Sequence, residues 1–231
     1  TGRWPPPTSG ASVGPMAAHD HPLFTQLYRV IAKVEDSGPV GRARTDVSAG
    51  LHGRLLIVGL GPAEDLHHLP PHVTEVVGIE PSGPMRRAAE PAVTKARAAG
   101  LPVEVIDAVA EDLPLPDDSV DSVLFAYVLC TVDDPDRAVA EARRVLRPGG
   151  SVGVLEHVAG PPGSWMRRAQ RVVSPVWPRL AGGCRCDRNT RAVLADGGFD
   201  VSGLEDFLVA PLVPVGAGLK GVATLPARHG T

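Results

Sequence analysis

The sequence predicts a doubly wound α/β fold with a mostly parallel sheet, and three patterns support this prediction. From Arg54 onward, short apolar segments alternate with segments whose apolar residues have helical spacing. The apolar segments are nearly continuous rather than alternating, so helices should cover both faces of the sheet. A glycine turn, Gly59-Leu60-Gly61, joins the first apolar segment to the helical segment that follows it.

The predicted elements follow one another in a regular order. Five strands are predicted at residues 54–60, 75–81, 102–110, 120–129 and 151–158. The helices between them are predicted at residues 62–69, 83–100 and 134–150, the last with Asp133 or Asp134 as its N-cap. The chain should close with a helix and two strands, at residues 188–199, 199–207 and 218–226.

Two regions fall outside this alternation. Residues 1–15 are rich in Pro, Gly and Ser, which is the composition of a flexible arm or of residues added for expression. Residues 16–49 are predicted to form a helical cap, with apolar residues at helical spacing over 21–36. The main domain then spans residues 50–231, with an insertion at 161–190 after the fifth strand.

The composition of the chain excludes several classes of partner. A net charge of −3 and an aromatic content of 4% argue against a nucleic-acid-binding protein, which needs a basic face and rings for base stacking. No apolar run approaches the roughly 20 residues that span a bilayer, so no integral membrane contact is expected. Three cysteines, an odd number, suit the reducing cytoplasm better than a disulfide framework. The oligomeric state is left open.

Gly59 and Gly61 form a candidate cofactor loop. Glycine lets a ligand approach the backbone closely and exposes the amides at a helix start. Glu80 ends the second strand 19 residues after Gly61, where a carboxylate can accept both hydroxyls of an adenosine ribose. The alternative is a tight turn without a ligand, which the register of Glu80 makes less favourable.

Two residues depart from the usual pattern of such a loop. Ala63 stands where a third glycine is common, and we expect its methyl group to fit because that glycine serves close helix–strand packing. Ile57 stands where many such strands carry a carboxylate that holds the cofactor's amino group. Asp65 or Glu64, one turn later, is expected to substitute for it.

Both NAD and S-adenosylmethionine (SAM) use this geometry, and the downstream segments favour SAM. "AEDLPLPDDSVDSV" follows the third strand and "EARRVLRPGGSVGVLEHV" leads into the fifth. With these segments, residues 50–160 resemble class I SAM-dependent methyltransferases, in which the A-E-x-L-P segment flanks the adenine. The resemblance implies SAM as the cofactor, with contacts from Gly59, Gly61, Asp65, Glu80, Pro81, Met85, Ala110, Glu111 and Tyr127.

The resemblance extends to the small-molecule thiol S-methyltransferases related to the microsomal alkyl-thiol enzymes. The matching features are V-L-C after the fourth strand, E-H-V at the end of the fifth, and the track W…Q…P-x-W…G-C…R beyond it. The segment "HPLFTQLY" is similar to the lid helix of bacterial relatives. No apolar N-terminal anchor is recognised, so a soluble cytoplasmic form with a small-molecule thiol acceptor is expected.

The resemblance and the strand positions also suggest the reacting residues. His157, at the end of the fifth strand, is the best-placed general base for a thiol; the alternative is a hydrogen-bonded structural histidine. Tyr28, on the N-terminal helix, is assigned with it to the catalytic site, although packing explains Tyr28 equally well. The acceptor pocket is predicted to be lined by Phe24, Cys130, Trp165 and Trp177, with Tyr127 beside them.

The insertion 161–190 has two interpretations. Its interleaved arginines and apolar residues suit a lid over the acceptor, or less favourably a membrane-surface helix. Within it, Cys184-Arg185-Cys186 suggests a metal, but zinc sites use paired ligand spacings and no second pair follows. No metal is therefore predicted.

Three functions remain open at this point. The leading hypothesis is SAM-dependent methylation of a thiol or dithiol, serving detoxification or natural-product chemistry. The second is O-, N- or C-methylation of a small metabolite or quinone. The third is a non-methylating protein that binds or rearranges a small molecule on the same scaffold, and the departures at Ile57 and Ala63 keep it open.

Overall fold

The computed structural model describes residues 38–209 and 216–227 of the 231-residue chain. Its first half contains, in order, α1 (Pro39–Ser48), β1 (Gly53–Val58), a 3-10 helix (Glu64–His67), β2 (Val73–Ile79), α2 (Gly83–Ala98) and β3 (Val103–Ile106). The second half contains β4 (Val120–Ala126), α3 (Pro135–Val145), β5 (Leu146–His157), α4 (Trp165–Val173), α5 (Trp177–Leu180), α6 (Thr190–Asp196), β6 (Leu204–Leu208) and β7 (Ala217–Thr224).

Seven strands in the described residues form one sheet, in the order β3-β2-β1-β4-β5-β7-β6. β1 pairs in parallel with both β2 and β4, whereas β7 runs antiparallel to β5 and β6. The strand order therefore reverses between β1 and β4, which is where a doubly wound sheet opens a crevice for ligands. The predicted fold class is confirmed.

Helices cover both faces of the sheet, as the continuous apolar strands predict. Leu55 and Ile57 of β1 belong to a core that includes α1 and α2. Leu56 and Val58, which point the other way, belong to a second core with α3 and α6. All four side chains are at most 1% exposed, so β1 is buried on both sides.

Several predicted elements are shorter than expected; for example, α3 ends at Val145 rather than at residue 150, and β6 begins at Leu204 rather than at residue 199. The helix at 62–69 is only the 3-10 turn Glu64–His67, since Ala63 before it is left-handed and prolines follow at positions 70 and 71. The third strand ends at Ile106 rather than at residue 110. The fourth strand ends at Ala126 because Tyr127 has a φ of 61°, outside the β region.

α1 belongs to the core rather than to a separate cap. Its residues Val40, Ala43 and Val47 are at most 3% exposed and pack with the β1 side chains. The arm 1–15 and the helix predicted at 21–36, with Phe24 and Tyr28, lie outside the described residues. Asp134, one of the two expected N-cap residues, caps α3: its side chain accepts the N–H of Arg137 at 3.0 Å.

The insertion 161–190 supplies α4 and α5, which follow the carboxyl end of β5. Ser164 caps α4 with its side chain. Across residues 38–209 and 216–227, none of the helices combines the length and the apolar character that crossing a bilayer requires.

Candidate active site

The predicted site residues meet at the carboxyl edge of the sheet, on both sides of the point where strand order reverses. Gly59 follows β1, and Glu80 follows β2. Tyr127 follows β4, and His157 is the last residue of β5. Four chain segments that are distant in sequence therefore border one crevice.

The glycine loop is held to the end of β2 by Glu80. One carboxylate oxygen of Glu80 accepts the Gly61 N–H at 2.8 Å, and the other accepts the Ser82 N–H at 2.9 Å. Gly59 and Gly61 have φ values of 66° and 54°, which glycine adopts without strain. A side chain added at Gly61 would point into open space, where the nearest atom is the Gly59 carbonyl oxygen at 3.9 Å. The loop thus leaves open space beside Gly61, and the contact of Glu80 with a cofactor there remains a prediction.

The structure gives a further reason why glycine is common at the position of Ala63, besides close helix–strand packing. Ala63 is fully buried and left-handed, with φ 65° and ψ 32°, so glycine is favoured there by backbone conformation rather than by packing alone. For an L-residue this conformation costs about 1–2 kcal/mol. Ile57 is fully buried among apolar side chains and offers no polar atom to a cofactor.

Arg44 of α1 forms a buried ion pair with Asp65, beside the glycine loop. The two side chains are 5% and 8% exposed. They border a small cleft, which is also lined by Gly59, Leu60, Gly61, Pro62, Glu64 and Ala126. The Asp65 carboxylate predicted to hold the cofactor is therefore engaged by a guanidinium. No sequence motif marks Arg44, which reaches the site only because α1 packs on the sheet.

The residues predicted to surround the adenine have clear places in the fold. Ala110 and Met85 are buried, at 6% and 9% exposure. The Glu111 carboxylate accepts the N–H groups of Asp133 and Asp134 at 3.1 and 3.2 Å, so it fixes the start of α3. Pro81 is half-buried directly after Glu80. Their contacts with a cofactor remain predictions.

Tyr127 links the two sides of the crevice. Its ring lies against the ring of His157, with centroids 4.5 Å apart. The guanidinium carbon of Arg44 lies 5.8 Å from the centroid of the Tyr127 ring, which allows a cation–π contact. A φ of 61° is a strained conformation for tyrosine, and such strain is common at functional sites.

The structure brings together three side chains that the sequence did not connect. The Sγ of Cys184 lies 3.6 Å from the Nδ1 of His157. Cys130 joins them, and the three ligand atoms all lie within 4.8 Å of one another. Zinc sites are recognised in sequences by pairs of ligands within one segment. These three side chains instead come from three separate segments.

Glu156 is a functional residue that sequence reasoning missed. It is fully buried, and its carboxylate accepts the N–H groups of Val128, Leu129 and Cys130 at 2.7, 2.8 and 3.1 Å. Burial raises the pKa of Glu156 to about 7, and these hydrogen bonds oppose that rise. The residue fixes the loop that carries Cys130. The signal for Glu156 in the sequence is a carboxylate at the end of an apolar strand.

The three thiols have different acidities. Hydrogen bonds from Cys130, His157 and Trp177 lower the pKa of the Cys184 thiol to about 5, although burial opposes this. The same hydrogen bond to Cys184, together with burial, raises the pKa of Cys130 well above its ordinary value. Burial raises the pKa of Cys186 to about 11. Cys184 is therefore the thiolate of the group.

The two predicted acceptor-site tryptophans have different surroundings. Trp177 packs against the cluster of cysteines 130, 184 and 186, with Tyr127 on the same cluster. Trp165 is 55% exposed, and Val172 and Leu180 are also exposed on these two helices. The structure thus places Trp177 at the site but leaves Trp165 facing outward.

Comparison with known proteins agrees with this geometry. Residues 56–154 match the family model described as "Methyltransferase domain". Human thiol S-methyltransferase TMT1A is 30% identical over 197 residues, covering 85% of this chain and 73% of that protein. Human thiol S-methyltransferase TMT1B is 40% identical over 119 residues, covering 50% of this chain. The chain matches about half (48%) of the length of TMT1B.

A solved structure shares the fold. The [4+2]-cyclase SpnF superimposes with a TM-score of 0.64 at 24% identity, and the match covers 81% of each chain. At this identity the likeness shows the common fold only. The coverage of TMT1A, together with the sheet order and the family model, establishes the family. The chain belongs to the class I SAM-dependent methyltransferases, in the same family as human TMT1A, and its methyl donor is SAM.

Proposed function

We propose that this protein transfers the methyl group of SAM to the thiol of a small molecule. The observation that carries the proposal is the position of His157, which stands at the carboxyl edge of the sheet, against Tyr127 and 3.6 Å from a cysteine sulfur. A wall of polarisable sulfur and aromatic groups suits a sulfur-containing acceptor. The names of the two human relatives point to the same chemistry.

The residues of the cofactor loop fit SAM. Gly61 leaves open space beside its backbone, and Glu80 can accept the ribose hydroxyls there. Arg44 brings a positive charge to the cleft beside the loop, which complements the carboxylate of the methionine end of SAM. The amino group of SAM, which a carboxylate at position 57 would hold, can instead contact Asp65 or Glu64, which line the same cleft.

The acceptor residues would align and ionise a thiol. When bound, SAM supplies a methyl group on a sulfonium; the thiolate lone pair bonds the methyl carbon, and the methyl–sulfonium bond breaks to leave S-adenosylhomocysteine. An unperturbed thiol has a pKa of about 8.5, so only a few per cent is ionised at neutral pH. His157 is the side chain placed to assist that ionisation. Trp177 and the segment 161–190 would close the acceptor side and exclude water.

A panel of acceptors tests the proposal. The purified protein is incubated with SAM and small thiols, dithiols, phenols, amines and a quinol, and mass spectrometry detects a gain of one methyl group. We expect methylated thiols. Methylation of phenols, amines or a quinol ring alone would support the second hypothesis, and SAM binding by calorimetry without any transfer would support a binding or rearranging role.

A matched pair of variants tests the role of His157. His157→Ala should lower the turnover of thiols, with the larger loss at low pH, where fewer thiol molecules ionise unaided. His72→Ala serves as the control, because His72 is exposed beside the amino end of β2, at the opposite edge of the sheet. Equal turnover for the two variants from pH 6 to 9 would remove His157 from the reaction.

A further inference from the structure

Cys130, His157 and Cys184 have the geometry of a metal site. They come from the loop after β4, the end of β5 and the segment after α5, and their ligand atoms lie within 4.8 Å of one another. A tetrahedral zinc ion, with bonds of about 2.3 Å to sulfur and 2.0 Å to nitrogen, separates two such ligands by about 3.5 Å. The observed 3.6 Å from the Cys184 Sγ to the His157 Nδ1 matches that separation.

Hydrogen bonds to main-chain groups join the segments that carry Cys130, His157 and Cys184. The Arg185 N–H donates to the Cys130 carbonyl oxygen at 2.7 Å, so the two cysteine segments are joined beside their thiols. Glu156, next to His157, accepts the Cys130 N–H at 3.1 Å. Cys130 is fully buried and Cys184 is 7% exposed, so their rotamers are confined by packing.

We propose that Cys130, His157 and Cys184 bind Zn²⁺, and that the acceptor thiolate occupies the fourth coordination position. Three protein ligands with one open position are the pattern of catalytic zinc sites, and a sulfur-rich donor set selects zinc over magnesium or calcium. The first part stands on the geometry alone. The second part rests on the proposed thiol methylation.

The three side chains lie close to the predicted cofactor loop. His157 contacts Tyr127, and Tyr127 lies near Arg44 and the glycine loop, so the cluster borders the crevice where the methyl donor binds. An acceptor thiol that coordinates zinc releases its proton to water. Its sulfur then bonds the methyl carbon while the methyl–sulfonium bond breaks, and the resulting thioether, a weaker ligand, dissociates. Zinc stays divalent throughout, and His157 then assists the ionisation of the acceptor thiol through the metal rather than by taking the proton itself.

Cobalt substitution tests the site without relying on activity. Metal-free protein titrated with Co²⁺ should bind one equivalent and show thiolate-to-cobalt charge-transfer and tetrahedral d–d bands, which Zn²⁺ removes. Cys184→Ser should lose most of the charge-transfer intensity. Cys186→Ser is the matched control, because Cys186 is also buried, lies two residues away and is outside the ligand set; its spectrum should be unchanged.

Three results would overturn the metal site. The first is the absence of charge-transfer bands in the wild-type protein, and the second is an equal loss in Cys186→Ser. The third is a disulfide between Cys130 and Cys184, which would leave one of the three thiols titratable in the unfolded, unreduced protein. A second variant, His157→Gln, keeps both cysteines and should also lose the tetrahedral d–d bands, and circular dichroism checks that each variant is folded.

A second set of measurements separates this inference from the proposed function. Adding 2-mercaptoethanol to the cobalt protein should shift the d–d bands, and removal of zinc by a chelator should lower thiol methylation by about tenfold or more. Cobalt bands without thiol methylation of any acceptor would refute the proposed function and keep the metal site. Undiminished thiol methylation in chelator-treated protein and in Cys184→Ser would refute the zinc role and keep the function.

Discussion

The ion pair of Arg44 and Asp65 should contribute strongly to stability because both charges are buried. The side chains are 5% and 8% exposed, so solvent screens them little. Arg44→Met keeps an unbranched apolar stem but leaves the Asp65 carboxylate without its guanidinium. Breaking a buried pair in this way costs about 3–5 kcal/mol. That is a large fraction of the roughly 5–15 kcal/mol that stabilises a typical domain.

Guanidinium chloride unfolding at neutral pH, without cofactor, measures this loss. The double variant Arg44→Met/Asp65→Leu should recover most of it, since neither charge then remains buried. Asp46→Asn provides a control on the same helix, because Asp46 is 63% exposed and pairs with Lys220 at the surface. Its expected cost is below about 1 kcal/mol.

A loss of less than about 1 kcal/mol in Arg44→Met would show that the pair behaves as a solvated one. A double variant no more stable than the single one would likewise contradict a costly buried charge. Calorimetric titration of the refolded double variant should show SAM affinity lowered by about tenfold or more, as expected when a guanidinium that pairs with a carboxylate is removed.

Three further predictions concern the glycine loop, the loop after β4 and an ion pair on α3. Gly61→Ala should lower SAM affinity by about tenfold or more in calorimetric titration, because its methyl group enters the open space beside the loop. Glu156→Ala should lower the free energy of unfolding by about 3 kcal/mol or more, because three buried N–H donors lose their acceptor. The hydrogen bond from Arg144 lowers the pKa of Glu141 below its ordinary 4.5, so the ionised form stabilises the fold above that value. This contribution is lost as the pH falls through the folded pKa, so acid titration of stability should bring wild type and Glu141→Gln together.

Matched variants distinguish these effects from general damage. Gly100→Ala also places alanine at a positive φ, with open space around it at the far end of α2, and should leave SAM affinity unchanged. Glu111→Ala removes an acceptor of two solvent-exposed N–H groups and should cost below about 1 kcal/mol. Equal losses of SAM affinity in the two glycine variants, or equal losses of stability in the two glutamate-to-alanine variants, would contradict these predictions. For Glu141→Gln, a difference in stability from wild type that grows as the pH falls would contradict the prediction.

The sheet and its cofactor edge could be predicted from the sequence because their signals are local. Leu55 to Val58 are all apolar because helices cover both faces of β1, and this pattern is visible without any structure. Gly59 and Gly61 are marked by the backbone conformation that the turn requires. Glu80 is marked by its position at a strand end. The early ends of β4 and of the helix after β1 could not be predicted, because Tyr127 and Ala63 adopt left-handed conformations for which their residue types have no preference.

By itself, the sequence determined the doubly wound sheet, the glycine loop and the membership of a methyltransferase family. Only the tertiary structure decided which side chains meet at the site. Arg44 and Asp65 are 21 residues apart, and His157 and Cys184 are 27 apart. Neither separation can be recognised from the repeat of a helix or a strand, because the two residues of each pair lie in different elements. These contacts exist because strand order, and not chain order, brings the ends of β1, β4 and β5 side by side, and a one-dimensional pattern does not encode that order.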